Sequence, residues 1–243
     1  MGLETVISII RRVKTKGIGG ACVAIGRRIF RPIASGWDSI GDMAFERKLG
    51  ISTARQIGAS ELGYGSECFH EYTPTTYDAL RKLFRALGPV GPEDVFIDFG
   101  SGMGRVLVLA GMLPFARVVG VELSPALSAL AHKNIEHVRQ KLRCKSIEVL
   151  TMDVTGYRVP PDATILYFQN PFSGFVLDAV MESIRRSLVA APRRITVIAN
   201  SHYANGKFEQ GIRGHSWLKM AKEIRTTGEL RAWLYTNTCW TGH

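Results

Sequence analysis

From residue 77 onward, apolar positions follow two alternating rhythms. In YDALRKLFRAL (77–87), Leu80, Leu83, Phe84 and Leu87 share one helical face, and GPVGPED then stops the helix with two prolines and two glycines. DVFIDF (94–99) is short, apolar and β-prone, which predicts a strand; GRVLVLAGML behind it reads as a helix. The alternation continues with strand RVVGVEL (117–123), helix LSPALSALAHKNIEHVRQKL, strand SIEVLTMDV, strand ATILYFQN (163–170), helix FVLDAVMESIRRSL and strand RRITVIAN (193–200). Near the end, SWLKMAKEI is expected as a helix and GELRAWLYTNTCW as a last strand. Strands separated by helices imply βαβ units, and so an α/β, Rossmann-like fold with a mostly parallel sheet and helices on both faces.

Composition adds one sizeable core: 243 residues, 46% hydrophobic and 21% charged. The pattern divides the chain into a basic amino-terminal helical extension, residues 1–60, and an α/β domain, residues 61–243. The net charge of +10 is uneven. Residues 1–36 hold Arg11, Arg12, Lys14, Lys16, Arg27, Arg28 and Arg31 against only Glu4, a net of +6. In LETVISIIRRVK, Leu3, Val6, Ile7, Ile10 and Val13 recur at helical spacing. Such an arm either lies on an anionic membrane or nucleic acid with its basic residues outward, or packs its apolar stripe on its own domain. An Arg-rich, acid-poor start also resembles an organelle transit peptide.

No apolar run approaches the roughly 18 to 20 residues that span a bilayer. GIGGACVAIG (17–26) runs straight into Arg27 and Arg28 without a cleavage pattern, which argues against secretion. Cys22, Cys68, Cys144 and Cys239 are scattered with no CxxC pair, so the expectation is reduced thiols in a cytoplasm and no metal site.

The candidate chemistry lies in DFGSGMGR (98–105). Gly100, Gly102 and Gly104 alternate at the carboxyl end of the first strand, with Ser101 between them, where an α/β sheet binds ligands. Glycines admit close approach to the backbone, and the N–H groups opening the helix are expected to offer donors to an anionic group such as a carboxylate. The spacing is GxGxG, not the dinucleotide GxGxxG, and Asp98 sets a negative charge where a pyrophosphate would sit. That charge suits a ligand with cationic atoms, an amino-acid ammonium or a sulfonium, and S-adenosylmethionine carries both. Glu122, 24 residues after Asp98 at the end of the second strand, can accept from both ribose hydroxyls, and Asp153 at the end of the third from the adenine amino group.

DFGSGMG, VVGVELS, LTMDV and YFQNPF, in that order, resemble the motifs of class I S-adenosylmethionine-dependent methyltransferases over residues 70–200. EYTPTTYDAL (71–80) has a Y-x-x-T pair, Tyr72 and Thr75, just upstream. With QNPF after the fourth strand, it is similar to the seven-strand protein-lysine methyltransferases outside the SET class, where such a segment closes over the cofactor. FERKLGISTARQIGASELGYG through GVELSP and NPF also resembles bacterial class I methyltransferases whose substrates are not assigned. The resemblance implies a seven-stranded sheet in a methyltransferase domain over 61–243. It implies S-adenosyl-L-methionine as cofactor, held by Tyr72, Thr75, Asp98, Gly100, Ser101, Gly102, Gly104, Glu122, Asp153 and Asn170. The acceptor is expected to bear an amine, protein lysine first. Small-molecule or glycan methylation stays open, as does a non-catalytic RNA- or membrane-binding module on the same fold.

Amino-directed nucleic-acid and glutamine enzymes carry [DNS]-P-P-[YFW] after the fourth strand, and Asn170-Pro171-Phe172 lacks the second proline. Asn170 is no base at neutral pH, but its carbonyl can orient an amine. Asn170, Pro171, Phe172 and Tyr72 are therefore the expected catalytic set, with Phe172 and Tyr72 as channel wall. Phe168 reads as strand core, and His202 and Tyr203 as loop residues at the open end. His132 reads as surface, and Trp217, Trp233 and Trp240 as apolar packing.

Overall fold

The computed structural model describes residues 40–58, 62, 69–201, 206–225 and 231–238. The chain divides into two units, Met1–Gly41 and Asp42–His243, and the fold described here is that of the second. The expected basic arm, residues 1–36, lies outside the described residues, as do His202, Tyr203 and Trp240.

Seven strands form one sheet: β1 (Val95–Phe99), β2 (Arg117–Glu122), β3 (Ser146–Thr151), β4 (Ile165–Gln169), β5 (Thr196–Ser201), β6 (Leu218–Arg225) and β7 (Arg231–Asn237). Their order is β3-β2-β1-β4-β5-β7-β6. Five strands pair in parallel, and β7 runs antiparallel to both of its neighbours. β1 and β4 sit side by side where the strand order reverses, the place where an open α/β sheet leaves a crevice above its carboxyl ends.

The central strands are buried on both faces, as their continuous apolar runs require. One face is covered by α2 (Tyr77–Leu87), α3 (Arg105–Gly111) and α4 (Pro125–Val138), whose Leu80, Leu107 and Ile135 pack with Phe96. α5 (Gly174–Ala190) and α6 (Lys207–Arg213) cover the other, where Val176, Leu177 and Ile212 pack with Ile97 and Phe168.

SWLKMAKEI is a strand, not the expected helix. Ala, Lys, Met and Glu favour helices locally. As β6, however, the segment pairs along β7 from Leu218 to Arg225, with an irregularity at Met220/Lys222. Pairing at the sheet edge overrides propensity there. α6, with only Phe208 and Ile212 as apolar side chains over its seven residues, was not anticipated.

The compact unit begins at Asp42, ahead of the sequence-based boundary at residue 61. Helix α1 (40–49) carries Asp42 and Glu46 into the interior, where they meet Arg105, the first residue of α3. The Arg105 side chain is 4% exposed. Its guanidinium binds Asp42, donates to Glu46 Oε1 at 3.0 Å, to Thr53 Oγ1 at 2.7 Å and to the Thr75 carbonyl at 2.9 Å, and lies over the Tyr77 ring. Asp42 also accepts from the Tyr77 N–H at 2.9 Å, at the start of α2. One buried cation thus joins α1, residues 53 and 75, α2 and α3.

Removing one partner of a buried ion cluster leaves the others charged without solvent, at a cost of about 3–5 kcal/mol. Arg105→Met is expected to lower the unfolding free energy by that amount in urea titrations, and adding Asp42→Asn and Glu46→Gln should recover part of it. A loss below about 1 kcal/mol, the scale of an exposed pair, would contradict the staple.

Candidate active site

Above the carboxyl ends of β1, β2 and β4 lies a cleft of about 800 Å³ of empty space, counted to its open mouth. Its floor is Asp98, Gly100 and Ser101 from the glycine turn, with Glu122 from the end of β2; its roof is residues 69–75; its far wall is Gln169, Pro171 and Phe172. Two isolated antiparallel bridges, Ile57 with Tyr72 and Phe69 with Phe172, attach the roof to the rest of the unit.

The glycine turn is shaped by protein neighbours. A Cβ on Gly102, at φ +55°, would come within 2.1 Å of the Tyr72 ring, and one on Gly100, at φ +84°, within 2.7 Å of Pro171 Cβ. Both positions therefore demand glycine, for left-handed backbone and for contact with side chains of the expected site. Four N–H groups of the turn are committed to protein acceptors. Gly100 and Ser101 donate to the Val121 carbonyl at 2.8 and 3.2 Å, Gly102 donates to Glu122 Oε2 at 2.8 Å, and Gly104 to the Ser101 carbonyl at 2.9 Å.

What the floor offers instead is acceptors. Asp98 Oδ1 and Ser101 Oγ are buried with no hydrogen-bond partner among the described residues. The Asp98 carboxyl, fully buried, is held well above the ordinary carboxylate range, first by desolvation and then by the charge of Glu122. Orphaned buried oxygens are rare in native structures. Here they line the cleft floor and suit a cationic donor such as an ammonium. The Arg105 guanidinium borders the cleft but is committed to Asp42, Glu46 and Thr53.

Of the sequence-derived set, Tyr72, Thr75, Asp98, Gly100, Ser101, Glu122, Pro171 and Phe172 converge on the cleft. Gly102 lies beneath the Tyr72 ring and Gly104 packs on Ala131. Asp153 does not reach the lining: it caps the short 3-10 turn Val154–Gly156, accepting from the Thr155 N–H at 2.8 Å and hydroxyl at 2.7 Å. Asn170 is likewise absent from the lining. It takes a left-handed conformation, φ 43°, and its backbone carbonyl lies 2.7 Å from His70 Nδ1. Burial raises the Tyr72 phenol above its ordinary value, and its hydroxyl donates to the Thr53 carbonyl at 2.9 Å, so the ring serves as a neutral wall. Phe168 is core, stacked on Phe99 at 4.6 Å between ring centroids. His132 is exposed, as expected.

Among the lining residues missed from the sequence are Gln169 and His70. Gln169 Oε1 contacts the Thr75 hydroxyl, the Tyr167 hydroxyl at 3.1 Å and Asn200 Nδ2, which fixes the amide at the end of β4. Its position beside Asn170 was visible in FQNPF, but the side of the strand end it faces was not. His70 stands two residues before Tyr72, in a segment without periodicity.

The family model described as "Histone methylation protein DOT1" matches residues 63–155. No curated protein sequence matches the chain. Among solved structures, the chain is similar to precorrin 8w decarboxylase of Methanobacterium thermoautotrophicum, at 18% identity and TM-score 0.52 over 69% of this chain and 93% of that one. It is also similar to a conserved hypothetical protein of Streptococcus pyogenes, at 15% and 0.50 over 64% and 93%. An RNA methyltransferase of Salinibacter ruber, solved with S-adenosyl-L-homocysteine, aligns at 22% and 0.47 over 68% and 94%. The matched segment spans the cleft's roof, glycine turn and β2 acid, and together with this fold it supports S-adenosylmethionine-dependent methyl transfer.

A carboxyl whose folded-state pKa is raised opposes folding once the solution pH exceeds its unfolded value, near 3.9, and the penalty is complete above the folded value. Asp98→Asn is therefore expected to raise the melting temperature of the ligand-free protein at pH 7–8 and to leave it nearly unchanged at pH 4. Thermal melts that reverse this order would refute the burial of an uncompensated charge.

Proposed function

We propose that this methyltransferase moves the methyl group of S-adenosylmethionine to an amine-bearing acceptor, with protein lysine the leading substrate class. The observation that carries the reading is the buried, partnerless Asp98 Oδ1 on the cleft floor beside Ser101 Oγ, where the cofactor's ammonium would complete both acceptors. Glu122 stands at the same floor, its carboxylate fixed by the Gly102 and Ser124 N–H groups, each at 2.8 Å. When bound, the cofactor supplies an already activated methyl group on a sulfonium.

The protein's task is then alignment and exclusion of water. Holding nucleophile and methyl carbon in line is worth roughly 7 to 11 kcal/mol, more than proton transfer commonly contributes. Phe172 and Pro171 form an apolar wall, and apolar surroundings beside a sulfonium favour the neutral amine that attacks. The family model named for histone methylation supports lysine as acceptor. The charge of residues 1–36 supports a contact with an anionic surface, nucleic acid or membrane.

Purified protein incubated with methyl-labelled S-adenosylmethionine is expected to label histone octamers on lysine, read by mass spectrometry. Label entering only RNA or low-molecular-weight pools of a host lysate would overturn the lysine assignment. Asp98→Asn should weaken S-adenosylhomocysteine binding at least tenfold, about 1.4 kcal/mol, in calorimetry; unchanged affinity would remove Asp98 from the cofactor site. Deleting residues 1–36 is expected to abolish salt-sensitive binding to DNA and to anionic vesicles without changing that affinity, and binding that survives deletion would remove the arm's role.

A further inference from the structure

His70 lines the cleft, and its Nδ1 lies 2.7 Å from the backbone carbonyl oxygen of Asn170. A carbonyl oxygen has no proton to give, so the contact is a hydrogen bond only if Nδ1 carries the proton. In the neutral ring, Nε2 is then an acceptor, and it makes no hydrogen bond among the described residues. The ring's backbone is fixed as well: the His70 N–H donates to the Pro171 carbonyl at 3.1 Å, and the adjoining Phe69 bridges to Phe172.

Asn170 alone among the described non-glycine residues has positive φ, and that left-handed conformation lies in the peptide whose carbonyl orients His70. Asparagine tolerates such backbone better than most residues. The position thus serves the site through its main chain. Strain at a functional locus and a tautomer set by a fixed carbonyl are what a positioned base requires.

We propose that His70 is the base of the reaction, accepting at Nε2 the proton that the acceptor must lose; the proposal rests on the methyltransferase reading above. For an amine that arrives as an ammonium, one N–H bond breaks and its proton passes to His70 Nε2. The freed lone pair forms the N–C bond as the methyl's bond to sulfur breaks, with both electrons of that bond going to sulfur. The imidazolium then returns its proton to water at the mouth of the cleft. The other titratable groups lining the cleft are Glu71, Tyr72, Asp98, Glu122, Arg105 and Tyr167. Of these, Glu71 is exposed and bonded to Gln56, and Arg105 is spent on Asp42 and Glu46.

The test uses poly-L-lysine as acceptor at saturating cofactor, so that Asp98 titration does not enter. His70→Gln is expected to lower kcat at least tenfold and to remove the acid limb from its pH profile, with S-adenosylhomocysteine affinity within twofold of wild type. Imidazole added to His70→Ala should restore part of the rate. Nitrogen-15 NMR of the ligand-free protein should find the proton on Nδ1. An unchanged kcat, a persisting acid limb, or a proton on Nε2 overturns the proposal. Wild-type protein that binds S-adenosylhomocysteine but leaves poly-L-lysine unlabelled overturns the lysine reading instead, and the NMR result still decides the tautomer.

Discussion

The buried guanidinium of Arg105 is the constraint on which the site depends. It is the first residue of α3, directly behind the glycine turn, and it reaches Asp42 and Glu46 on α1 and the carbonyl of Thr75 in the roof. Hydrophobic contacts hold the sheet and helices together without specifying where a loop must lie. A fully desolvated charge with several obligatory partners does specify it, because a missing partner costs more than any single apolar contact. The cleft therefore has a roof of fixed height, set by a residue that need not touch substrate.

The same electrostatics divides the interior into two regions of opposite character. Around Arg105, positive and negative charges are matched, and Thr53 completes the network. On the cleft floor, Asp98 is buried near Glu122 with no compensating cation, and its carboxyl is pushed upward accordingly. The protein spends its cation on architecture and leaves Asp98 for a ligand. That division selects against phosphate-rich cofactors and for one bearing positive charge.

Most of the fold was legible because the central strands are continuous apolar runs and the helices carry periodic faces, as in β1 and α2. The glycine turn and Glu122 were legible because chemistry and chain position coincide there. β6 was not, since its residues are helix formers and its pairing with β7 is non-local. For Asp153 and Asn170 the sequence pointed to a ligand and gave no sign of their local contacts, a capped 3-10 turn for Asp153 and a backbone carbonyl against His70 for Asn170. Main-chain roles leave little trace in residue identity. Arg105 did leave one, a lone charge opening the all-apolar run VLVLAG, but its charged partners, Asp42 and Glu46, lie more than 50 residues upstream.

The packing of Tyr72 on Gly102 ties two positions 30 residues apart into one unit of inheritance. While the ring is present, no side chain fits at position 102. Were the aromatic at 72 replaced by something small, the steric bar would lift and only the left-handed backbone would remain, which asparagine and aspartate tolerate. Lineages descending from this sequence can therefore change 102 only after 72 has changed. The order of substitutions, and not merely their identity, is written into the way the roof rests on the turn.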